Sequence, residues 1–274
     1  MHPVTPAGLL MKRAYVAGPR ARRPHGAALV APRVLAGLVL LGLAAYPFLD
    51  GEPLRLLTIS TLVAFFAASV THAAAYHGLW WAVRLVVVTA GGGLAVEAVG
   101  LATGFPFGDV TFADTLGPRV FGVPVVLGLA WTAMAYPAFA IARNLVGTRF
   151  LAGVPVVGGV ALAAWDLFLD PAMVADGHWA WAAPTPAIPG VPGVPVSTYV
   201  GWLLVAVVMM TVLTLTLPEE HAPVGVPLVL YVGTWLVSVV VALLVDRPAV
   251  ALAGGLGMAL VGLPALWSAW NARP

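Results

Sequence analysis

Apolar residues run along this chain in stretches too continuous for the faces of a water-soluble domain. Runs of bilayer-spanning length, about 20 residues, recur near 30–48, 56–75, 82–103, 120–142, 150–169, 199–217, 225–245 and 249–269. Short segments carrying Gly, Pro and most of the charges separate them. The pattern predicts an all-α, polytopic transmembrane bundle of eight helices. Seven is the alternative, because the first run is short and Gly254, Gly255, Gly257 and Pro264 interrupt the last. No internal repeat stands out. Residues 29–274 read as a single helical domain and residues 1–28 as a disordered tail.

Composition sharpens this. Of 274 residues, 61% are hydrophobic and 9% charged, and mean hydropathy is +0.98. A soluble domain carries about 25% charged residues, so most of this surface must face lipid. With no Cys, disulfides, thiolate metal sites and a Cys nucleophile are excluded.

The charges orient the bundle. With eight spans and the tail in the cytoplasm, Lys12, Arg13, Arg20, Arg22, Arg23, Arg33, Arg84, Arg143, Arg149 and Arg273 fall inside, ten of the 13 basic residues. Arg55, Arg119 and Arg247 fall outside, as the positive-inside rule requires. Asp50, Glu52, Asp109, Asp114, Asp170, Asp176 and Asp246 also fall outside, and Glu219 and Glu220 inside. The tail lacks the apolar core of a signal peptide. Setting topology is its expected role, and docking on anionic lipid the other reading. The expected location is the plasma membrane, multi-pass. Nucleic acid is not an expected partner, since no aromatics interleave the basic residues.

Two connections exceed turn length, residues 104–119 and 170–198, and both fall on the outer face. Long loops rich in Gly, Pro and aromatics tend to carry function, and these two are placed to roof one side of the bundle. Beneath them lie two acids inside apolar runs. Glu97 sits six residues before Thr103, roughly 9 Å below the helix end at 1.5 Å per residue. Asp166 sits four residues before Asp170, roughly 6 Å below the expected helix end, and the two share a helix face. Intramembrane acids are costly and point to function. The alternative is a structural hydrogen bond to a neighbouring helix.

A carboxyl in apolar surroundings resists ionisation and can serve as a general acid. A second, better hydrated carboxylate can orient water. Phe105, Phe107, Trp131, Trp165, Trp179 and Trp181 offer π faces to a developing cation. This is equipment for protonating an apolar alkene.

The residues also carry a resemblance. Glu97, Gly100, Thr103-Gly104-Phe105-Pro106-Phe107-Gly108, Leu116-Gly117-Pro118, Gly122-Val123-Pro124, Trp131 and Met134 form a first signature. Trp165-Asp166, Leu169-Asp170-Pro171, Met173, Gly177, Trp179, Trp181, Gly193-Val194-Pro195 and Gly201-Trp202 form a second. Together, over residues 90–205, they resemble the CruF-type carotenoid 1,2-hydratases, which include the bisanhydrobacterioruberin hydratases. The chain departs from the family at Asp109-Val110-Thr111-Phe112, where an aromatic-rich stretch is usual. It departs again at Ser197-Thr198-Tyr199, where an Asn is usual. The resemblance implies hydration of the terminal C1–C2 double bond of an acyclic carotenoid such as lycopene or a bacterioruberin precursor, with no cofactor. Expected partners are the polyene, water, lipid and other membrane enzymes of the pathway.

On this reading Glu97 or Asp166 donates the proton, and Asp170 or Asp109 directs water. Thr103 and the aromatics contact substrate. Asp114 and Arg119 read as a loop pair, and His178 as a proton relay or a loop-packing residue. No metal is expected: the i,i+5 spacing of His72 and His77 puts them on different faces, and Asp170, Asp176 and His178 meet only if the loop folds back. Gly91-Gly92-Gly93 reads as a helix-packing stripe. Three rivals stand. Pro218-Glu219-Glu220 resembles the Pro-x-Glu-Glu motif of the small membrane lycopene cyclases. A non-catalytic carotenoid- or lipid-binding protein and a proton-coupled transporter are the others.

Overall fold

Eight long apolar helices make up the computed structural model, which describes residues 24–147, 152–218 and 222–272. They are α1 (Ala27–Ala45), α2 (Gly51–His77), α3 (Leu79–Thr103), α4 (Val125–Val146), α5 (Gly153–Ala175), α6 (Val196–Thr216), α7 (Gly225–Leu244) and α8 (Pro248–Asn271). The count of eight holds against seven. The glycines that made the last run doubtful are packing contacts: Gly254 lies under Phe168, Gly255 against Val239, and Gly257 against Leu167. The basic tail through Arg23, with Arg149, Glu219, Glu220 and Arg273, lies outside the described residues.

One helix organises the rest. A stretch of α4 long enough to cross the bilayer is 83% buried, against 17% for α1. It packs on α2, α5, α7 and the wider π-helical turn of α3 at Val87–Gly91. Its buried residues include the small Ala130, Ala133, Ala135 and Ala138, which let neighbouring backbones approach in a setting where lipid supplies no hydrophobic drive. The outer helices turn large apolar residues outward, among them Leu41, Leu204, Leu256, Leu260 and Leu263. An apolar surface on that scale marks contact with a membrane. This is a multi-pass membrane protein.

The two long loops meet at one end of the bundle. Strand β1 (Val110–Phe112) pairs antiparallel with β4 (Trp179–Trp181), setting Val110 opposite Trp181 and Phe112 opposite Trp179. Between them in sequence, β2 (Arg119–Val120) and β3 (Val123–Pro124) form a small hairpin. This hairpin takes up residues 119–124, so α4 starts at Val125, later than the apolar run implies.

Hydrogen bonds pin this roof. The Phe107 carbonyl accepts from Trp181 Nε1 at 2.8 Å and from Thr198 Oγ1 at 2.7 Å. At Gly201 a Cβ would stand 2.4 Å from the Pro106 carbonyl oxygen, so only glycine lets α6 seat beneath the loop. Gly104 turns the chain off α3 in the left-handed conformation, φ 73°, which glycine adopts without a Cβ penalty.

One boundary matters for the site. The expected end of α5 at 169 is wrong, because the helix runs through Asp170 and Pro171 to Ala175. Pro171 lacks an N–H and forgoes one helical bond, but Pro171 and Met173 are both buried, and their packing holds the turn. Asp166 therefore lies nine residues from the helix end, about 14 Å at 1.5 Å per residue, deeper than the expected 6 Å.

Candidate active site

Under the roof, α3 and α5 bring three carboxyls together. Glu97 is 5% exposed, Asp166 0% and Asp170 3%. Glu97 and Asp170 both line one small cavity under the roof, while Asp166 stands behind Asp170, one helical turn deeper. Each of the three lies within electrostatic reach of another. Arg, Lys and His are absent from the described cavity lining.

The hydrogen bonding of the acids is uneven. Glu97 Oε1 accepts from Trp131 Nε1 at 3.2 Å. Neither oxygen of Asp166, nor Oδ2 of Asp170, accepts from a fixed donor among the described residues. Asp166 and Asp170 are each other's neighbours. Two carboxyls can bond only when one of them carries a proton, since an ionised carboxylate is acceptor-only. A proton on either carboxyl would let the pair bond across one helical turn. The buried hydroxyl of Tyr199 has no partner among the described residues and lies within electrostatic reach of both of them. The indole N–H of Trp179, beside Asp170, is likewise unpartnered.

Aromatic rings wall the cavity. Trp131 and Trp202 stack with centroids 4.1 Å apart and planes 13° apart. Phe107 leans on both, at 6.5 and 5.9 Å, and Trp179 and Trp181 close the roof side. Gly93 sets this geometry, because a Cβ there would lie 2.4 Å from the Trp131 ring. Of the three consecutive glycines it is the one that packs so; Gly91 and Gly92 have open space around them. Gly93→Ala is expected to push Trp131 off Glu97 and Trp202, with an overpacking cost of about 1–3 kcal/mol. The check is a lowered unfolding midpoint together with a shifted tryptophan emission.

Other sequence-expected residues stand elsewhere. Asp109 is exposed, its carboxylate resting over Gly104, and it does not line the cavity. Phe105 is 65% exposed, and Thr103 is exposed, bonding its own turn at Val99. Trp165 is buried but packs against Phe65 on the far side of α5. Asp114 and Arg119 form the expected surface pair at 2.8 Å. His178 binds loop to loop, Nδ1 to Thr115 Oγ1 at 2.8 Å, and burial holds its imidazole below the usual histidine range. His72 pairs with the Tyr136 hydroxyl at 2.7 Å, and His77 stacks on Trp81. Tyr199 and Thr198 were missed by sequence reasoning, and Trp202 entered only within a signature. Their signal was the i,i+3 spacing of Tyr199 and Trp202 on the first turns of a helix under a Pro-rich loop.

Comparison with known proteins decides the family. The carotenoid biosynthesis protein family matches residues 55–262, three quarters of the chain. The chain belongs to the carotenoid biosynthesis protein family. Over 112 residues it is 35% identical to a bisanhydrobacterioruberin hydratase of Haloarcula japonica, covering 40% of this chain and 36% of that protein. The chain thus matches about a third of the length of that relative. No solved structure matches. Membership of this family supports a carotenoid substrate.

Proposed function

We propose that this family member is a carotenoid hydratase, which adds water across the terminal C1–C2 double bond of an acyclic carotenoid. The observation that carries the proposal is the convergence of Glu97 and Asp170 on one aromatic-walled cavity, with Asp166 behind as a proton partner. The similarity to a hydratase supports it.

We assign the steps to these residues as follows. The proton held between Asp166 and Asp170 passes from Asp170 to C2, forming a C–H bond as the π bond breaks. The tertiary cation at C1 faces the π surfaces of Trp131, Trp202 and Phe107, an attraction worth about 2 kcal/mol when desolvated. Water attacks C1 while Glu97, oriented by Trp131, takes its proton. That proton returns to the aspartate pair, so the sum is alkene plus water giving a tertiary alcohol. No redox change occurs, and no cofactor is required. Asp109, on the surface, takes no part.

The same reading places the protein in the plasma membrane, with the basic tail cytoplasmic and the roofed end outside. The charge asymmetry supports this orientation. The cyclase-like Pro218 lies at the opposite end of α6, where its carbonyl accepts from Arg143 at 3.0 Å, away from the acids.

Pigment analysis in a host that makes acyclic C40 and C50 carotenoids tests the proposal. Wild type is expected to yield a more polar pigment heavier by one water, and Glu97→Gln to lose most of it. A ring at unchanged mass would establish cyclisation instead. Unchanged pigment despite membrane expression would leave binding or transport.

A further inference from the structure

A second cavity lies between α1, α2, α5 and α7, and the proposed mechanism does not use it. Leu62, Leu169 and Met173 line both it and the reaction cavity, so three side chains separate the two spaces. Its walls are mainly apolar, with Phe65, Trp165 and Phe168 on one side. Tyr46 and Arg247 stand at its loop end, where the Tyr46 hydroxyl donates to Asp176 at 2.7 Å.

Besides Tyr46, four aliphatic hydroxyls line this apolar space: Thr58 and Thr61 from α2, Thr234 and Ser238 from α7. Thr58 is 8% exposed and Thr234 1%, and neither hydroxyl has a partner among the described residues. Other helical threonines here satisfy themselves. Thr71, Thr89, Thr211 and Thr214 each donate to the carbonyl four residues back, at 2.6–2.8 Å. A buried hydroxyl left unmade costs about 1–3 kcal/mol. Two of them on facing walls of one cavity indicate a polar group that arrives with a ligand.

We propose that the second cavity is a binding subsite for an oxygen-bearing part of the same isoprenoid substrate. A hydroxyl or ether oxygen there is received by Thr58 and Thr234, and the chain passes between the cavities over Leu62, Leu169 and Met173. This rests on the reading that the reaction cavity takes the end of a polyene. The subsite makes the protein prefer a substrate already oxygenated near its reacting end over the bare hydrocarbon.

The test compares an acyclic C40 polyene with an analogue that carries a hydroxyl within a few carbons of the unreacted C1–C2 double bond, using full-length protein in detergent or vesicles. Two readouts are taken: kcat/KM, and Kd from quenching of tryptophan emission by the polyene. Thr58→Val with Thr234→Val is expected to cut the hydroxylated-to-hydrocarbon ratio about tenfold in both readouts, the effect of roughly one hydrogen bond. Thr58→Ser with Thr234→Ser restores it. A ratio that stays put in the Val variant overturns the subsite. If wild type hydrates neither compound, the proposed function falls, and the Kd ratio still decides the subsite.

Discussion

Asp170→Asn is expected to lower the hydration rate by about 10²–10⁴-fold, the usual span for loss of a positioned general acid, with little change in KM. Asn has the shape of Asp and can still face Asp166. It cannot release a proton to carbon. Asp170 is the member of the aspartate pair that reaches the cavity, so no neighbour stands ready in its place. Glu97 lies across the cavity, already accepting from Trp131. Initial rates with purified protein in vesicles check this. Retention of more than a tenth of wild-type activity would move the donor role to Glu97. The sharpness of the expected loss follows from the burial of the three acids among aromatic and apolar residues.

The fold was legible because in lipid the length of an apolar run is itself the structural signal. Positions within that fold were less so. The central place of α4 is hidden in the sequence, since a helix apolar all round looks the same whether it faces lipid or protein. The apolar run stops at 169, yet the helix continues through the buried Pro171 and Met173 to Ala175, and that moved Asp166 deeper. Phe105 and Phe107 are two residues apart and read alike, but one is 65% exposed and the other 2%. The Phe107 carbonyl fixes which one faces in, through Trp181 and Thr198, and those bonds exist only after the loops pair. Asp109 drew attention by adjacency to that motif, which says nothing of side-chain direction. Glu97, Asp166 and Asp170 were visible because charge inside an apolar run is costly anywhere. Their convergence was not visible, because it depends on how α3 and α5 lie against α4. Tyr199 was invisible for the same reason.

Asp166→Asn separates a working acid from a structural one. Asp166 stands behind the cavity and acts through Asp170, so it is a positioning residue, and a rate loss alone would fit either role. Stability tells them apart. Both of its oxygens are buried without a fixed donor, and a buried acceptor left unmade costs about 1–3 kcal/mol. The Asn amide N–H can donate to Asp170, which relieves part of that cost. The variant is therefore expected to unfold at the same temperature as wild type or several degrees higher, at about 2–4 °C per kcal/mol for a chain near this size. Its rate is expected to fall about 10²-fold, because an amide cannot hold the shared proton. Strain kept at a site for the sake of activity has this signature, a gain in stability bought with a loss of function. Thermal unfolding in detergent and initial rates on one preparation measure both. A fall in unfolding temperature alongside the fall in rate would make Asp166 a structural residue and leave Asp170 and Glu97 as the whole of the acid machinery.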